Sequence, residues 1–203
     1  MRRRWRVVIV LAALGFPQMT GCSYSIKMEP PGSERVATAS RRANAAAMVT
    51  SVKLSSMNRE AGVTIPGMTE SQQRSVIENK LREAGFFREV KELASPDDRV
   101  FRLSFVIEST LEPHHGEAVG NGFLIAFSFG LLAPFLHYHV EYDESIDAEV
   151  VTPDGGTRQY RVQTHATATH KLNPGIDRRL VEVTHDQLMN EVVNKIIKDD
   201  RGS

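Results

Sequence analysis

The sequence predicts an α+β fold: an antiparallel sheet of about four to five strands covered by two amphipathic helices, with a hydrophobic insert between strands. Three observations carry that expectation. Residues 99–109 and 138–151 alternate apolar and polar side chains, the period of two of a half-buried strand. Pro153-Asp154-Gly155-Gly156 then supplies a hairpin turn, beyond which the alternation resumes. Two other stretches space their apolar residues three and four apart, so each forms a helix with one buried face. A length of 203 residues suits one domain plus a tail, and a composition 41% hydrophobic and 25% charged is that of an ordinary globular chain.

The chain opens with Arg2, Arg3, Arg4 and Arg6, followed by an apolar run of ten residues from Val7 to Phe16. Ten helical residues cover about 15 Å, half of a hydrocarbon core of roughly 30 Å, so the run reads as a removable export signal rather than a permanent span. Met19-Thr20-Gly21-Cys22 follows, and Cys22 is the only cysteine. This arrangement resembles the lipobox of bacterial lipoproteins: an apolar residue, two small ones and the cysteine that takes the lipid, with Met19 where that family usually has Leu. The resemblance covers residues 1–22. It implies cleavage before Cys22, a diacylglycerol and an amide-linked acyl chain on the new N-terminus, and attachment to a membrane of the bacterial cell envelope. In enterobacteria a residue other than Asp after the cysteine, here Ser23, favours the outer membrane, with the domain on the periplasmic side. Each buried methylene contributes about 0.8 kcal/mol, so one chain holds marginally and two or more hold stably. Loss of the signal removes four arginines and leaves 21 basic and 25 acidic residues, a net charge of −4.

The division expected is therefore a signal peptide over 1–21, a lipidated tether over 22–46 and a single domain over 47–199. The tether holds Pro30-Pro31-Gly32-Ser33, a Ser/Ala/Arg-rich stretch and few large apolar groups. As a flexible chain it would reach about 25 to 30 Å.

Within the domain, Met48, Val52 and Leu54 share one parity and predict a first strand over 48–54. Thr69 and Gln72 form a T-x-x-Q capping box that opens a helix, Val76, Ile77, Lys80, Leu81 and Ala84 share a face, and Gly85 stands where a helix-ending glycine belongs. Residues 86–93 form a short strand, closed by a turn at Ser95-Pro96-Asp97-Asp98. Over 99–109, Phe101, Leu103, Phe105 and Ile107 face one way and Arg102, Ser104 and Glu108 the other. Over 138–151 the apolar even positions are Tyr138, Val140, Tyr142, Ile146, Ala148 and Val150, opposed by His139, Glu141, Asp143, Asp147 and Glu149. Tyr160, Val162, Ala166 and Ala168 continue the parity in the partner strand. Last comes a helix over 185–198, with its start as early as Asp177, carrying Val181, Thr184, Leu188, Val192 and Ile196 as its buried stripe. Thr184 and Gln187 repeat the capping-box pattern, and Lys195 and Lys198 occupy the last turn, where the helix dipole favours cations.

The insert is the stretch 118–136, nineteen residues without a charge whose only polar side chains are Asn121 and Ser128. As a helix it would measure about 28 Å, close to a bilayer core. A crossing is not expected, because Gly120, Gly122, Gly130 and Pro134 interrupt it, Lys and Arg are absent from its immediate flanks, and the strands on either side would be separated by the membrane. Three readings remain: a buried core segment, a segment dipping into the leaflet that holds the anchor, or an apolar surface for a partner. Phe123, Leu124, Ile125, Phe127, Phe129, Leu131, Leu132, Phe135 and Leu136 are the membrane- or partner-contact candidates.

No motif for chemistry emerges. One cysteine permits neither an internal disulfide nor a Cys-x-x-Cys zinc site, and no G-x-S-x-G elbow or complete phosphate loop occurs, so no catalytic residue, metal ligand or cofactor is expected. His137 and His139 are two ligands where three or four are usual, and strand parity sends His139 outward and His170 inward, with His165 outward opposite roughly residue 145. His114 and His115 read as solvated loop residues, and the acidic row Glu141, Asp143, Asp147, Glu149 as a solvated sheet face. A balanced charge with no basic stripe gives no field for nucleic acid. The function expected is a non-enzymatic, membrane-anchored envelope lipoprotein that binds another envelope protein or a lipid in assembly, stability or transport. The alternatives are a lipid-binding or membrane-remodelling protein acting through the insert and a metal-dependent hydrolase.

Overall fold

The computed structural model describes residues 24–40, 42–58, 69–93, 95, 98–113, 120–121, 123–124, 126–128, 136–170 and 176–199. In chain order its elements are β1 (Tyr24–Glu29), β2 (Ala46–Asn58), α1 (Glu70–Ala84), β3 (Val90–Lys91), β4 (Val100–Pro113), β5 (Tyr138–Val151), β6 (Thr157–His170) and α2 (Ile176–Asp199). The signal, Met19, Thr20, Gly21 and Cys22, together with His114, His115, Pro96 and Asp97, lie outside the described residues.

The strands form one sheet in the order β1-β6-β5-β4-β2-β3. Its centre is antiparallel, as the alternation required: β4 pairs with β5 from Arg102–Val151 to Pro113–Val140, and β5 with β6 from Val151–Thr157 to Tyr138–His170. Residues 152–156 turn the β5–β6 hairpin with Gly155 at φ 91°, a conformation that a Cβ strains. Its N–H donates to the Thr152 carbonyl at 2.9 Å. Two features correct the expected all-antiparallel sheet of four to five strands. β2 runs parallel to β4 and to the two-residue β3, because α1 crosses over between β2 and β4 and so returns the chain in the same direction. The sixth strand, β1, lies within the stretch read as a tether and pairs with β6 from Tyr24–His170 to Glu29–His165.

Residues 31–40, 42 and 43 also pack on the domain instead of standing it off. The Ser33 N–H donates to the Gln187 carbonyl at 3.2 Å, Asn190 Nδ2 donates to the Ser33 carbonyl at 3.0 Å, and Asn194 accepts from the Ala37 N–H at 2.6 Å while donating to the Arg35 carbonyl at 3.0 Å. Ala39 and Ala43 then donate to the Ala84 and Phe86 carbonyls at 2.9 and 2.7 Å. Few large side chains are needed for such a strap, since its backbone groups find partners on the helices and on the end of α1.

Thr69 and Gly85 cap α1 as expected, but of the capping box only the Thr69 half forms, because the Thr69 hydroxyl itself donates to Gln72 Oε1 at 2.9 Å. Thr69 Oγ1 accepts from the Gln72 N–H at 3.3 Å, and Gly85, at φ 64°, donates its N–H to the Arg82 carbonyl at 3.1 Å. The buried face is Gln73, Ile77, Glu78, Leu81 and Ala84, so Val76 turns partly outward. In β2 the register shifts between Val49 and Ser51, which puts Ala47, Val49 and Val52 in the core and takes Met48 off the parity it was expected to share with Val52 and Leu54. Arg74 of α1 clasps that bulge, its two terminal nitrogens donating to the Val49 and Thr50 carbonyls at 3.1 Å each. α2 begins at Ile176, so Thr184 is a buried mid-helix residue and not a cap.

Both helices cover one face of the sheet. The main core joins Ile77 and Leu81 of α1 and Leu188, Met189, Val192, Val193, Ile196 and Ile197 of α2 to Leu103, Phe105, Ile107, Ile146 and Val162 of the strands. A second, smaller cluster of Leu111, Val140, Tyr142, Ala166, Ala168, Leu180 and Val181 fills the end of the sheet where β4 finishes and β5 begins. Half-buried Ile26 and Met28 of β1 pack on it.

Candidate functional site

That sheet end gathers the parts the sequence singled out. Tyr24, His170 and Tyr138 stand in one row, Tyr24 opposite His170 and His170 opposite Tyr138, so β1 starts level with the start of β5, across β6 from it. Pro113, where β4 ends, is opposite Val140 in the same region. The insert therefore leaves the sheet and re-enters it at one end. Gly120, Asn121, Phe123, Leu124, Ala126 and Phe127 are helical, with the Ser128 N–H donating to the Leu124 carbonyl at 3.0 Å. Asn121 Nδ2 donates to the His137 carbonyl at 2.9 Å, tying the helix to the point of re-entry.

The buried-core reading of the insert does not hold for its described part. Phe123, Leu124 and Phe127 are 68%, 48% and 83% exposed, and none belongs to either core cluster. Leu136 is half-buried, whereas Ile125, Phe129, Leu131, Leu132 and Phe135 lie outside the described residues. Among the described residues no helix is long and apolar enough to cross a membrane.

Between the two core clusters lies a layer of polar side chains that the sequence reading passed over. Ser109, Glu144 and Thr164 sit on adjacent strands, Ser109 opposite Glu144 and Glu144 opposite Thr164, all buried. α2 places His185 above them: its Nδ1 bonds Glu144 Oε1 and its Nε2 bonds Gln73 Oε1 at 2.6 Å. Thr164 Oγ1 donates to the Pro30 carbonyl at 2.8 Å, which brings the start of the strap into the same layer. Tyr142 projects its hydroxyl beside Ser109 and Glu144, and burial first, then the neighbouring carboxylate, push its pKa far up. The signal was present in the sequence: residues 109, 144 and 164 are polar, while the same-parity residues on either side, 107 and 111, 142 and 146, 162 and 166, are apolar or aromatic. A His–carboxylate pair is also the geometry that activates a nucleophile. Here the second ring nitrogen is taken by an amide oxygen of α1, so the arrangement links α1, α2 and the sheet.

The helix-free face carries the acidic row, outward as parity demands, and β6 answers Asp143, Asp147 and Glu149 of it. Asp143 Oδ1 is 2.8 Å from His165 Nδ1, Asp147 Oδ1 is 3.7 Å from Arg161 Nε, and Glu149 Oε2 accepts from Gln159 Nε2 at 3.4 Å. His165 thus lies opposite Asp143, not residue 145, because the turn holds five residues and sets the register. A hollow of about 630 Å³ opens on this face between Glu108, Asp143, Ser145, Gln163 and His165. Among the described residues no three His, Cys, Asp or Glu side chains converge to hold a metal ion.

No protein-family model and no curated protein matches the chain. Among solved structures it is weakly similar to a rare lipoprotein B from Shewanella oneidensis, at 14% identity and a TM-score of 0.34, covering 74% of this chain and 93% of that one.

Proposed function

We propose that this chain is a non-enzymatic lipoprotein of the bacterial cell envelope, held at the membrane through acylated Cys22. Its domain stands on the periplasmic side, with the outer membrane favoured, and binds another envelope protein or a lipid in assembly, stability or transport. The observation that carries the reading is the position of β1. The fold begins at Tyr24, two residues after the cysteine, with its first strand paired along β6. Acyl chains at Cys22 would therefore hold the sheet itself at the bilayer, with no spacer between anchor and fold. Two or three chains give stable attachment where one does not. The non-enzymatic part of the reading is supported by His185, whose two ring nitrogens are engaged by Glu144 and Gln73.

Intact-mass analysis of the protein extracted from cell membranes tests the reading directly. Expected are a chain starting at Cys22 that carries diacylglycerol and an amide-linked acyl group, and loss of that acyl mass in a Cys22→Ser variant. A mature chain that starts elsewhere, with an unmodified thiol, sinks it.

A further inference from the structure

Resting on that lipoprotein reading, we infer that the exposed helix of the insert enters the same phospholipid leaflet that holds Cys22, giving the domain a second contact with the membrane made of protein. The inference comes from topology. Cys22 precedes Tyr24 by two residues, at most about 7 Å of extended chain, and Tyr24 shares its register row with His170 and Tyr138. The insert returns to the sheet at Tyr138, with Asn121 bonded to the carbonyl of His137 at 2.9 Å. An anchor that brings Tyr24 to the bilayer surface brings the insert there as well.

The chemistry of the helix fits that occupant. Phe123 and Phe127 are four residues apart and share a face, Leu124 flanks them, and Ala126 is exposed too, so the described residues offer one contiguous apolar face. An exposed apolar group of this size on a soluble surface marks a contact site. The insert carries no charge that would have to enter the acyl region. Outside it, the first turns of α2 follow β6 at the same end and hold Arg178 and Arg179 exposed, Arg178 with Glu182 at 2.7 Å, at the level where phosphate headgroups would lie. The alternative occupant, an apolar surface of another protein, has no such reason to sit beside the lipidation site.

The test uses the sole tryptophan, Trp5, which lies in the signal. Full-length chains carrying Trp5→Phe together with Phe127→Trp or Phe123→Trp are expressed in bacteria, extracted and reconstituted into phosphatidylethanolamine/phosphatidylglycerol vesicles with or without brominated acyl chains. A face sunk about 5 to 10 Å into the headgroup–acyl boundary gives blue-shifted emission and at least about a twofold loss of intensity to the bromines. A Val106→Trp chain, labelled on the helix-free sheet face, should show neither. Water-like emission without quenching at 123 and 127, in protein whose mass shows acylated Cys22, overturns the inference and leaves the lipoprotein reading standing. Blue-shifted emission that bromines do not quench means that protein covers the helix, and also overturns it. Absence of acyl mass on Cys22 removes the reading and the inference together.

Discussion

Glu144 is the carboxylate of the polar layer between the two core clusters. It occupies a core-facing position of β5 with its side chain fully buried, and its carboxylate is held by His185. Its other oxygen, Oε2, is buried in the same layer as the Tyr142 hydroxyl, which lies beside it and Ser109. Removing one member of a buried pair leaves the other uncompensated, at a cost of about 3 to 5 kcal/mol, while replacing both by apolar groups costs much less. In urea unfolding, His185→Leu and Glu144→Leu should each lower stability by about that amount and the double variant by clearly less than the sum; strict additivity would mean the pair is not coupled. Tyr142 makes a second prediction. Its folded pKa is raised above the ordinary value of 10.0, so its contribution is complete below pH 10 and is lost as pH rises beyond it, where the unfolded phenol ionises first. Tyr142→Phe should flatten the alkaline limb of a stability–pH curve measured by denaturant titration, because it removes the group whose ionisation burial and the Glu144 carboxylate oppose in the folded state.

Among the elements, the strap of residues 31–40, 42 and 43 is the one composition concealed. Its polar contacts are backbone groups meeting Gln187, Asn190 and Asn194 on α2, and its apolar ones are only Val36, Ala39 and Ala43 packed on the core, too few and too irregularly spaced to leave a hydrophobic period to read. Gly32 is the closest approach: a Cβ there would come within 2.8 Å of Gln187 Cβ and 2.9 Å of its carbonyl carbon. The backbone of α2 cannot yield as a flexible side chain does, so Gly32→Ala should cost about 1 to 3 kcal/mol, read as a lower denaturant midpoint with faster amide exchange at Ser33 and Ala37. Unchanged exchange at both amides would mean the strap does not bear on that contact. The capped helix, the long alternating strands and the glycine turn were legible because each is a local pattern with a local cause. The bulge at Thr50 was not, since it depends on Arg74 arriving from α1. The Thr184–Gln187 motif misled for the converse reason: capping chemistry works only where a helix starts, and α2 starts eight residues earlier, at Ile176.

For the whole molecule, the sheet is continuous across the point where the insert departs, and the described part of the insert lends no side chain to either core cluster. Replacing residues 114–137 by a tight hairpin loop should therefore leave the unfolding free energy within about 1 kcal/mol of the parent, because β4 and β5 stay paired and closing a shorter loop costs little. A loss several times larger, measured by denaturant titration, would mean the insert is part of the core. Local sequence alone determined the alternating strands, the capped and striped helices, the apolar insert and the lipobox-like cysteine, since periodicity, capping and signal composition act between near neighbours. Only the tertiary structure decided that β2 and β4 run parallel, that the supposed tether is a strand and a strap, that Glu144 meets His185 across 41 positions, and that β1 and the insert share one end of the sheet. Those facts depend on which backbone groups and side chains far apart along the chain satisfy one another, and no local window contains both partners.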